Sequence, residues 1–267
     1  MKKLKSLFSR FYLLLVLAFF YLPILYVIVF SFNDSKSLSK FTGFSLQWYE
    51  KMFANRTIME SIYYTVVIAV IATVVSPIVG TIAAIGLSKS RRIVKELTLQ
   101  INNLPMMNPE IVTAIGLMLL FTSLNIKTGF MTLLLAHIAF CIPYVMLSIM
   151  PKLRQMDPNL PEAALDLGAT PWQALTKVIV PEIMPGIVSG ALIAFTMSFD
   201  DFVISFFTTG PGINNISIYV YSMYKRINPS INALSTIIVV MITVVLILVN
   251  VVPLMKERKL KKNEKLG

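Results

Sequence analysis

The sequence predicts an all-α membrane protein with six transmembrane helices. Hydrophobic residues make up 56% of the 267-residue chain and charged residues only 14%, and the mean hydropathy is +0.75. This composition excludes an ordinary soluble domain. A helix that crosses a bilayer needs about 20 mostly apolar residues. Segments of this kind occur at residues 11–32, 62–88, 98–122, 128–150, 183–207 and 232–255.

The first apolar segment, 11–32, has the position of a signal peptide but is too long for one. It has no clear cleavage site of small residues, and the chain after it is again apolar, so we predict a true span. The loop 33–60 that follows is polar and aromatic. Trp48 and Tyr49 in this loop predict an interfacial helix that is anchored at the membrane surface.

Lys and Arg residues are unevenly distributed among the loops. With the N-terminus in the cytoplasm, 17 of the 24 lie on the cytoplasmic side, which is the bias that membrane proteins show. We therefore predict that both termini and the polar segment 157–181 face the cytoplasm. The net charge of +11 and the basic tail from Lys256 are explained by anionic lipid headgroups, and no nucleic-acid partner is indicated. The outer cations are Lys36, Lys40, Lys51, Arg56, Lys127, Lys225 and Arg226.

Catalytic constellations are absent from the sequence. Cys141 is the one cysteine and lies in an apolar run, which favours a small packing residue over a nucleophile. His137 has no Cys or His partner at metal-ligand spacing, so a polar contact with a neighbouring helix is the favoured role. No Gly-rich phosphate-binding loop is present. If ATP drives this protein, another chain must bind it.

The segment 157–181 is the longest polar-containing stretch between apolar runs. It begins as an amphipathic helix, in which Glu162 can accept from N–H groups of the first turn. Gly168 allows the left-handed conformation that ends a helix, and Pro171 suits the first turn of the next one. A membrane protein that keeps such a helix–turn–helix presents it to a soluble partner. The alternative is a plain interfacial helix–turn–helix.

This segment resembles the EAA loop of ABC-importer permeases. Glu162-Ala-Ala164, Gly168 four residues later and Pro181 thirteen residues beyond reproduce its pattern, with Val178 and Val180 replacing the usual Ile and Leu.

The resemblance implies a type I ABC-importer (MetI-like) permease fold, with residues 1–267 as one transmembrane domain and a cytoplasmic coupling helix within 157–181. It also implies that the loop docks into a groove on a nucleotide-binding subunit. The coupling residues implied are Glu162, Ala163, Ala164, Asp166 and Gly168.

The likeness extends over nearly the whole chain to permeases of spermidine/putrescine importers, in particular to the second of their two different permease subunits. Related permeases for other solutes share the loop. The segments that carry the likeness are Asn33, Trp48-Tyr49, Asn108–Val112, His137–Pro143, Ser198–Pro211, Ile218–Met223 and Asn228–Thr236.

Intramembrane acids independently favour a cationic substrate. A carboxylate at the centre of a bilayer costs roughly 2.5–3.5 kcal/mol on the insertion scale, so it must face water, protein or a cation. Asp200 and Asp201 point about 100° apart in a regular helix, so one lines a pathway and the other braces a neighbouring helix. Glu110 follows Pro105 and Pro109 and either caps a restarted helix or contacts the substrate.

A polyamine carries separated ammonium groups on an apolar chain, which suits unpaired acids and nearby aromatic faces. Asp201 shares a helical face with Ser205, and Phe202 offers a ring. We therefore expect the substrate pathway to include Asp200, Asp201, Glu110, Phe202 and Ser205.

The resemblance also implies the partners. These are two copies of an ATPase subunit that bind ATP and Mg²⁺, a second related permease and an extracellular substrate-binding protein, which the loop 33–60 could touch. No cofactor is expected on this chain, which lies in the cell membrane among lipids and would not itself be an enzyme. Two alternatives stay open: an ABC permease for another small solute, and an ion-coupled secondary transporter, which would not need the EAA-like loop.

Overall fold

The structure is a computed structural model that describes residues 2–37, 39–223, 228–244 and 247. The described chain is helical, apart from loops and one isolated antiparallel bridge between Asn33 and Phe44. The helices are α1 (Lys2–Ser31), α2 (Gln47–Ala54), α3 (Arg56–Ser88), α4 (Arg92–Met107), α5 (Glu110–Ser123), α6 (Phe130–Gln155), α7 (Leu160–Asp166), α8 (Pro171–Ala174), a π-helical turn (Leu175–Ile179), α9 (Val180–Phe199), α10 (Val203–Thr208), α11 (Ile216–Met223) and α12 (Ser230–Val244).

Four helical stretches of the described chain are long and apolar enough to cross a membrane, and a fifth arises if α4 and α5 count as one broken span. The four are Arg10–Ser31, Arg56–Ser88, Phe130–Gln155 and Pro171–Phe199. The sixth predicted segment contains α12, but the end of that segment and the basic tail from Lys256 lie outside the described residues. The number of six spans therefore stays a prediction.

The third predicted segment, 98–122, is not one helix. α4 ends at Met107 and α5 begins at Glu110, and their axes differ by 107°. The cause is the Asn108-Pro109 pair: the proline ring disfavours helical geometry in the preceding residue, and Asn108 is accordingly extended, at φ −85° and ψ 151°. The predicted interruption of this helix is confirmed, and the assignment of α4 and α5 to one broken span stays a prediction.

The fifth predicted segment, 183–207, also contains a break. α9 ends at Phe199, and α10 starts only at Val203. The Asp201 carboxylate accepts the backbone N–H groups of Ile204 and Ser205, at 3.2 and 2.7 Å, which starts the new helix as an N-terminal cap does. Asp200 and Asp201 therefore lie between two helices, and their placement in one regular helix is wrong.

The chain divides into two compact units. The first consists of Met1–Met59 and Met223–Gly267 and contains α1, α2 and α12. Its loop after α1 is organised by Asn33, whose side-chain amide donates to the carbonyls of Ser37 and Lys40 and whose Oδ1 accepts from Thr42.

Trp48 belongs to the same arrangement. Its indole N–H donates to the Asn33 carbonyl at 2.6 Å, and its side chain is 4% exposed. The predicted helix in the loop 33–60 is present as α2. However, Trp48 packs inside this unit, so its predicted role as a surface anchor is wrong.

The second unit, Glu60–Ser222, is built around the contact of α6 with α9. Small residues recur every four positions on the buried side of α9, at Gly186, Gly190, Ala194 and Ser198. An α-helix places residues at this spacing on one face, and small side chains let two backbones approach closely, as in membrane helix pairs. A Cβ at Gly190 would lie 3.2 Å from the Val145 Cα, so the approach depends on glycine.

Polar contacts accompany this packing at both ends of α9. The Ser148 hydroxyl donates to the Gly186 carbonyl at 3.0 Å, and the buried Cys141 thiol lies 3.6 Å from the Ala194 carbonyl. The prediction that Cys141 is a small packing residue is confirmed. The result is a tightly packed helix pair that connects the segment after Gln155 with the break at Asp200.

We expect Gly186→Ala and Gly190→Ala to destabilise the protein. The added methyl at residue 186 would lie 3.0 Å from the Ser148 carbonyl oxygen and 3.3 Å from the Ile149 Cα, so one backbone must move. Overpacking of this kind costs about 1–3 kcal/mol, or about 2–4 °C of melting temperature per kcal/mol in a protein of this size.

The matched control is Gly86→Ala on α3, where an added Cβ meets nothing within 4 Å. Alanine there should be neutral or slightly stabilising because it favours helix. Thermal unfolding in detergent compares the three variants, and equal melting temperatures would contradict the proposed dependence on glycine.

Candidate functional site: a cluster of acids and a helix–turn–helix segment

Asp201 lies at the centre of a buried polar network at the break between α9 and α10. Its side chain is almost fully buried, and its Oδ2 accepts both the N–H and the hydroxyl of Ser205, each at 2.7 Å. The Nε2 atom of His137, on α6, lies 3.5 Å from the same oxygen. Burying a carboxylate is costly unless its oxygens are bonded, and here they are. The Asp201–Ser205 pairing expected from the sequence is confirmed as a contact.

His137 joins α6 to this break. Its Nδ1 lies 2.7 Å from the Ser198 hydroxyl and its Nε2 lies 2.9 Å from the Ser205 hydroxyl. Ser205 has one hydroxyl proton, which it donates to Asp201, so it can only accept from His137. Nε2 of His137 therefore carries a proton. The predicted polar contact of His137 with a neighbouring helix is confirmed.

Asn215 completes the network, and sequence reasoning missed it. Its amide donates to the Ser205 hydroxyl at 2.7 Å and to the Asp201 carbonyl at 2.9 Å. Its Oδ1 accepts the backbone N–H of Ile218 at the start of α11. A buried amide that bonds three separate groups fixes the loop between α10 and α11, but an isolated Asn in a loop sequence gives no sign of such partners.

Asp200 differs from its neighbour. Its carboxylate is exposed, whereas Asp201 is buried, and its backbone carbonyl accepts from the Ser217 hydroxyl at 3.2 Å. Glu110, in the first turn of α5, is also exposed and interacts electrostatically with both aspartates. Tyr144 on α6 interacts in turn with Glu110. Glu110 therefore lies within electrostatic reach of the two consecutive aspartates, although about 90 residues of sequence separate it from them.

Aromatic rings cluster around Phe202, two residues after Asp200. The Phe202 ring is 4.8 Å from that of Tyr221 and 5.5 Å from that of Phe206, measured between centroids. Tyr221 and Phe206 are exposed, and Phe202 is half-buried. Exposed ring faces beside a carboxylate can hold an ammonium group by cation–π attraction together with the ionic contact.

No basic residue occurs in α5, α9, α10 or α11, and among the described residues no Lys or Arg forms an ion pair with these acids. The described part of the chain also holds no group of three or more His, Cys, Asp or Glu that could bind a metal ion. The chemistry that this arrangement favours is transient contact with a cation.

Ser205, which the sequence predicts to line the pathway, is fully buried and supports Asp201.

The segment between α6 and α9 forms a second candidate site. Gly168 ends α7 in the left-handed conformation, at φ +87°, as the sequence predicts. The N–H groups of Gly168 and Ala169 donate to the carbonyls of Leu165 and Ala164, which is the Schellman pattern of helix termination. α8 then starts at Pro171, also as predicted.

A capping box fixes the second helix. The Thr170 hydroxyl accepts the Gln173 N–H, and the Gln173 side chain accepts the Thr170 N–H at 2.9 Å. The spacing Thr-x-x-Gln indicates such a box, and sequence reasoning missed it. Glu162 lies in the first turn of α7, but in the described residues it accepts no hydrogen bond from a helix N–H, so that expectation is wrong.

Large apolar side chains project from this segment. Leu167 is 89% exposed and Trp172 is 70% exposed, and both lie beside the Gly168 turn. Exposed apolar side chains of this size suit contact with a partner. Sequence reasoning assigned Trp172 no role, although a Trp at the start of a polar helix is a recognisable indication of contact with a partner. Four of the five predicted coupling residues are exposed on the same segment: Glu162, Ala163, Asp166 and Gly168, with Ala164 half-buried.

Comparison with known proteins gives consistent matches. Residues 76–262 match the family described as binding-protein-dependent transport system inner membrane component. The chain is 38% identical over 239 residues to the spermidine/putrescine transport system permease protein PotC of Haemophilus influenzae, covering 87% of this chain and 93% of that protein. It is 38% identical over 235 residues to the putrescine transport system permease protein PotI of Escherichia coli K12, covering 85% and 83%.

Solved structures give the same fold. A crystal structure of a bacterial ABC transporter that imports the acidic polysaccharide alginate has a chain that superposes with a TM-score of 0.73 at 17% identity, covering 94% of this chain and 96% of that one. A second crystal structure, of a bacterial alginate ABC transporter in complex with an alginate pentasaccharide-bound periplasmic protein, matches with a TM-score of 0.68 at 15% identity, covering 92% and 94%. At these identities the likeness establishes the MetI-like permease fold alone.

The family match covers more than half of the chain, and the relatives are matched over most of their length. The chain therefore belongs to the binding-protein-dependent transport system inner membrane components: it is a multi-pass permease subunit of an ABC importer, a translocation component rather than an enzyme.

Proposed function

We propose that this chain is one of two permease subunits through which an ATP-driven importer moves spermidine or putrescine into the cytoplasm. The observation that carries the proposal is the acid cluster of Glu110, Asp200 and Asp201, which pairs with no Lys or Arg in the described part of the chain, and which the aromatic ring of Phe202 follows directly in the sequence. The named relatives, which are spermidine/putrescine and putrescine permeases, support the same substrate class.

Within the cluster, the three acids have different roles. Asp200 and Glu110 are exposed and contact the ammonium groups, with Phe202 supplying a ring face. Asp201 braces the break between α9 and α10 through Ser205 and His137 and thereby orients Asp200. An ammonium group loses water as it enters, and a carboxylate in a partly dry passage offsets part of that cost.

The segment 157–181 is the coupling loop of the proposed importer. Glu162–Ala164, Asp166 and Gly168 contact a separate ATPase subunit, and the exposed Leu167 and Trp172 enter its groove. Two ATPase copies bind ATP and Mg²⁺, a second permease forms the other half of the pathway, and an extracellular binding protein delivers the substrate. Both termini face the cytoplasm in this arrangement, and residues 1–267 act as one permease domain with six spans.

Transport by the reconstituted complex tests the function. The two permeases, the ATPase and the binding protein in proteoliposomes should take up radiolabelled spermidine when ATP is supplied on the ATPase side. Excess unlabelled putrescine should compete, whereas a neutral sugar or an anionic oligosaccharide should not. ATP-driven uptake of another class of solute, with no uptake of polyamines, would contradict the polyamine assignment but leave the assignment as an ABC permease intact.

We expect the purified chain alone to bind no nucleotide, because its sequence contains no phosphate-binding loop. Co-expressed with the ATPase, it should purify as a stable complex that hydrolyses ATP. Equilibrium binding of labelled ATP to the isolated chain and to the complex checks both points. Saturable binding by the isolated chain would contradict the assignment of ATP to another subunit.

A further inference from the structure

A cavity of about 310 Å³ lies at the end of the second unit that carries the segment 157–181. It is lined by the end of α3, the first turns of α4, the last turns of α6 and the start of the segment that leads to α7. Three basic side chains line it, from Lys89, Lys95 and Arg154. The acid cluster at Asp200 contributes no residue to it, so this cavity is separate from the proposed pathway.

The charge of this cavity is unbalanced. None of its lining residues is acidic, and among the described residues Lys89, Lys95 and Arg154 form no ion pair. The acids next to lining residues in the sequence are Glu96, Asp157 and Glu162, and none of them lines the cavity. Glu96 pairs with Arg92 at 2.8 Å, and Asp157 accepts the backbone N–H of Asn159 at 2.9 Å. Three cations that share one small cavity repel each other, so an anion bound between them would be stabilised.

Apart from Ser88, the rest of the lining is apolar. Ile85 on α3 and Met150 and Leu153 on α6 contribute to the wall, and both helices are long and apolar enough to cross a membrane. Lys89 follows α3 by one residue, and Arg154 lies in the last turn of α6, so the cations stand where two spans end. Lys and Arg at such positions extend to the level of the lipid headgroups. The matching ligand therefore has an anionic head and an apolar body.

We propose that this cavity binds the headgroup of an anionic phospholipid of the inner leaflet. The phosphodiester lies between Lys89, Lys95 and Arg154, and the first carbons of the acyl chains lie against Met150 and Leu153. Basic pockets between membrane helices on the cytoplasmic side are a known means of binding such headgroups. The inference rests on the orientation given under the proposed function, which puts this end of the unit in the cytoplasm.

Charge and shape disfavour the other available ligands. A polyamine is a cation and would be repelled. The tail of this chain beyond residue 255 is strongly basic and has the wrong sign. A soluble phosphate would satisfy the cations but leave the apolar wall uncovered. An acidic side chain of the ATPase would likewise leave that wall in water.

The test uses the assembled complex of permeases and ATPase, incorporated in nanodiscs of phosphatidylcholine with one-fifth phosphatidylglycerol, an arbitrary mixture of roughly bacterial charge. Native mass spectrometry after release counts retained lipids. The test variant is Lys95→Gln/Arg154→Gln. The matched control, Arg91→Gln/Arg92→Gln, removes the same charge from the same end of the unit but from outside the cavity.

We expect the wild type and the control to retain phosphatidylglycerol in preference to phosphatidylcholine. The test variant should lose this preference roughly tenfold or more, because two of the three cations that attract the anionic headgroup are removed. Lys95→Gln alone should give an intermediate loss. It serves as the milder variant if the double variant assembles poorly.

Equal retention by the test variant and the control would overturn the proposal. So would displacement of the lipid by millimolar inorganic phosphate, which would indicate a soluble anion as the ligand. Lipid that binds only after the ATPase is removed would assign the cavity to an acidic residue of that subunit and would also overturn it. Because the readout is lipid retention, its failure leaves polyamine uptake unaffected, and loss of polyamine uptake leaves the lipid result standing.

Discussion

Asp200→Asn should lower spermidine uptake at least tenfold while leaving the amount of assembled complex unchanged. The substituted side chain keeps its size but loses the charge that faces the ammonium group. At about 4 Å and an effective dielectric constant of about 20, such a charge pair is worth about 4 kcal/mol before desolvation. If about a third of this energy remains after desolvation, losing it would lower uptake about tenfold, because about 1.4 kcal/mol corresponds to a factor of ten. Asp200 is exposed, so its replacement leaves no buried partner unpaired.

Uptake of radiolabelled spermidine, divided by the complex yield, is the measurement. Asp200→Glu keeps the charge and should retain most of the activity, and Glu110→Gln should show a smaller loss. Full uptake by both Asp200→Asn and Glu110→Gln would remove the polyamine pathway, although the chain would remain an ABC permease.

Asp201→Asn is the structural contrast to this variant. The backbone N–H groups of Ile204 and Ser205 now donate to the two oxygens of the Asp201 carboxylate. In asparagine an NH2 group replaces one of these oxygens, so one of the two N–H groups would face another donor. A buried donor without an acceptor costs about 1–3 kcal/mol. The yield and melting temperature of the complex should therefore fall together with uptake, whereas Asp200→Asn should change uptake alone.

Gly168→Val should abolish uptake without preventing membrane insertion. The residue has φ +87°, a region that L-residues avoid and that β-branched side chains tolerate least. Valine would force the turn to another conformation and break the Schellman bonds to Leu165 and Ala164. The angle between α7 and α8 would then change, and Leu167 and Trp172 would no longer present one surface to the ATPase.

Two further variants separate the effect of the backbone conformation at residue 168 from the effect of adding a valine side chain. Gly168→Asn should retain part of the uptake, because Asn adopts the left-handed conformation more readily than other non-glycine residues. Gly86→Val adds the same side chain on α3, where a Cβ meets nothing within 4 Å, and should transport normally. Uptake and the spermidine dependence of ATP hydrolysis are measured for each. Normal uptake by Gly168→Val would remove the coupling role of the turn.

Local features of the fold were predictable from the sequence. The helices follow from apolar runs, the left-handed Gly168 from its place between two helical stretches, and the helix start at Pro171 from the fixed φ of proline. The Asp201–Ser205 contact follows from their separation of four residues. Each of these depends on neighbours within one or two helical turns, which the sequence lists directly.

The breaks in the spans were harder to predict. Two aspartates interrupt the apolar run at Phe199–Val203, but a hydropathy average over the length of a span stays high and does not register that α9 ends there. The bend at Asn108 is indicated by the following proline, but its angle of 107° depends on what α4 and α5 pack against. The network of His137, Ser198 and Asn215 joins residues up to 78 positions apart, and no periodicity within one helix encodes such a contact.

The packed pair of α6 and α9 has a mechanical consequence. Residues Pro171–Phe199 form one stretch of 29 helical residues, about 40 Å long, from the Trp172 surface to the residue before Asp200. A tilt of roughly 10° would carry one end about 7 Å relative to the other, given that length. If the ATPase binds the surface at Trp172, this stretch acts as a lever. Movement of its Phe199 end would open or close the passage at Asp200. The close backbone contact at Gly190 would make α6 move together with α9.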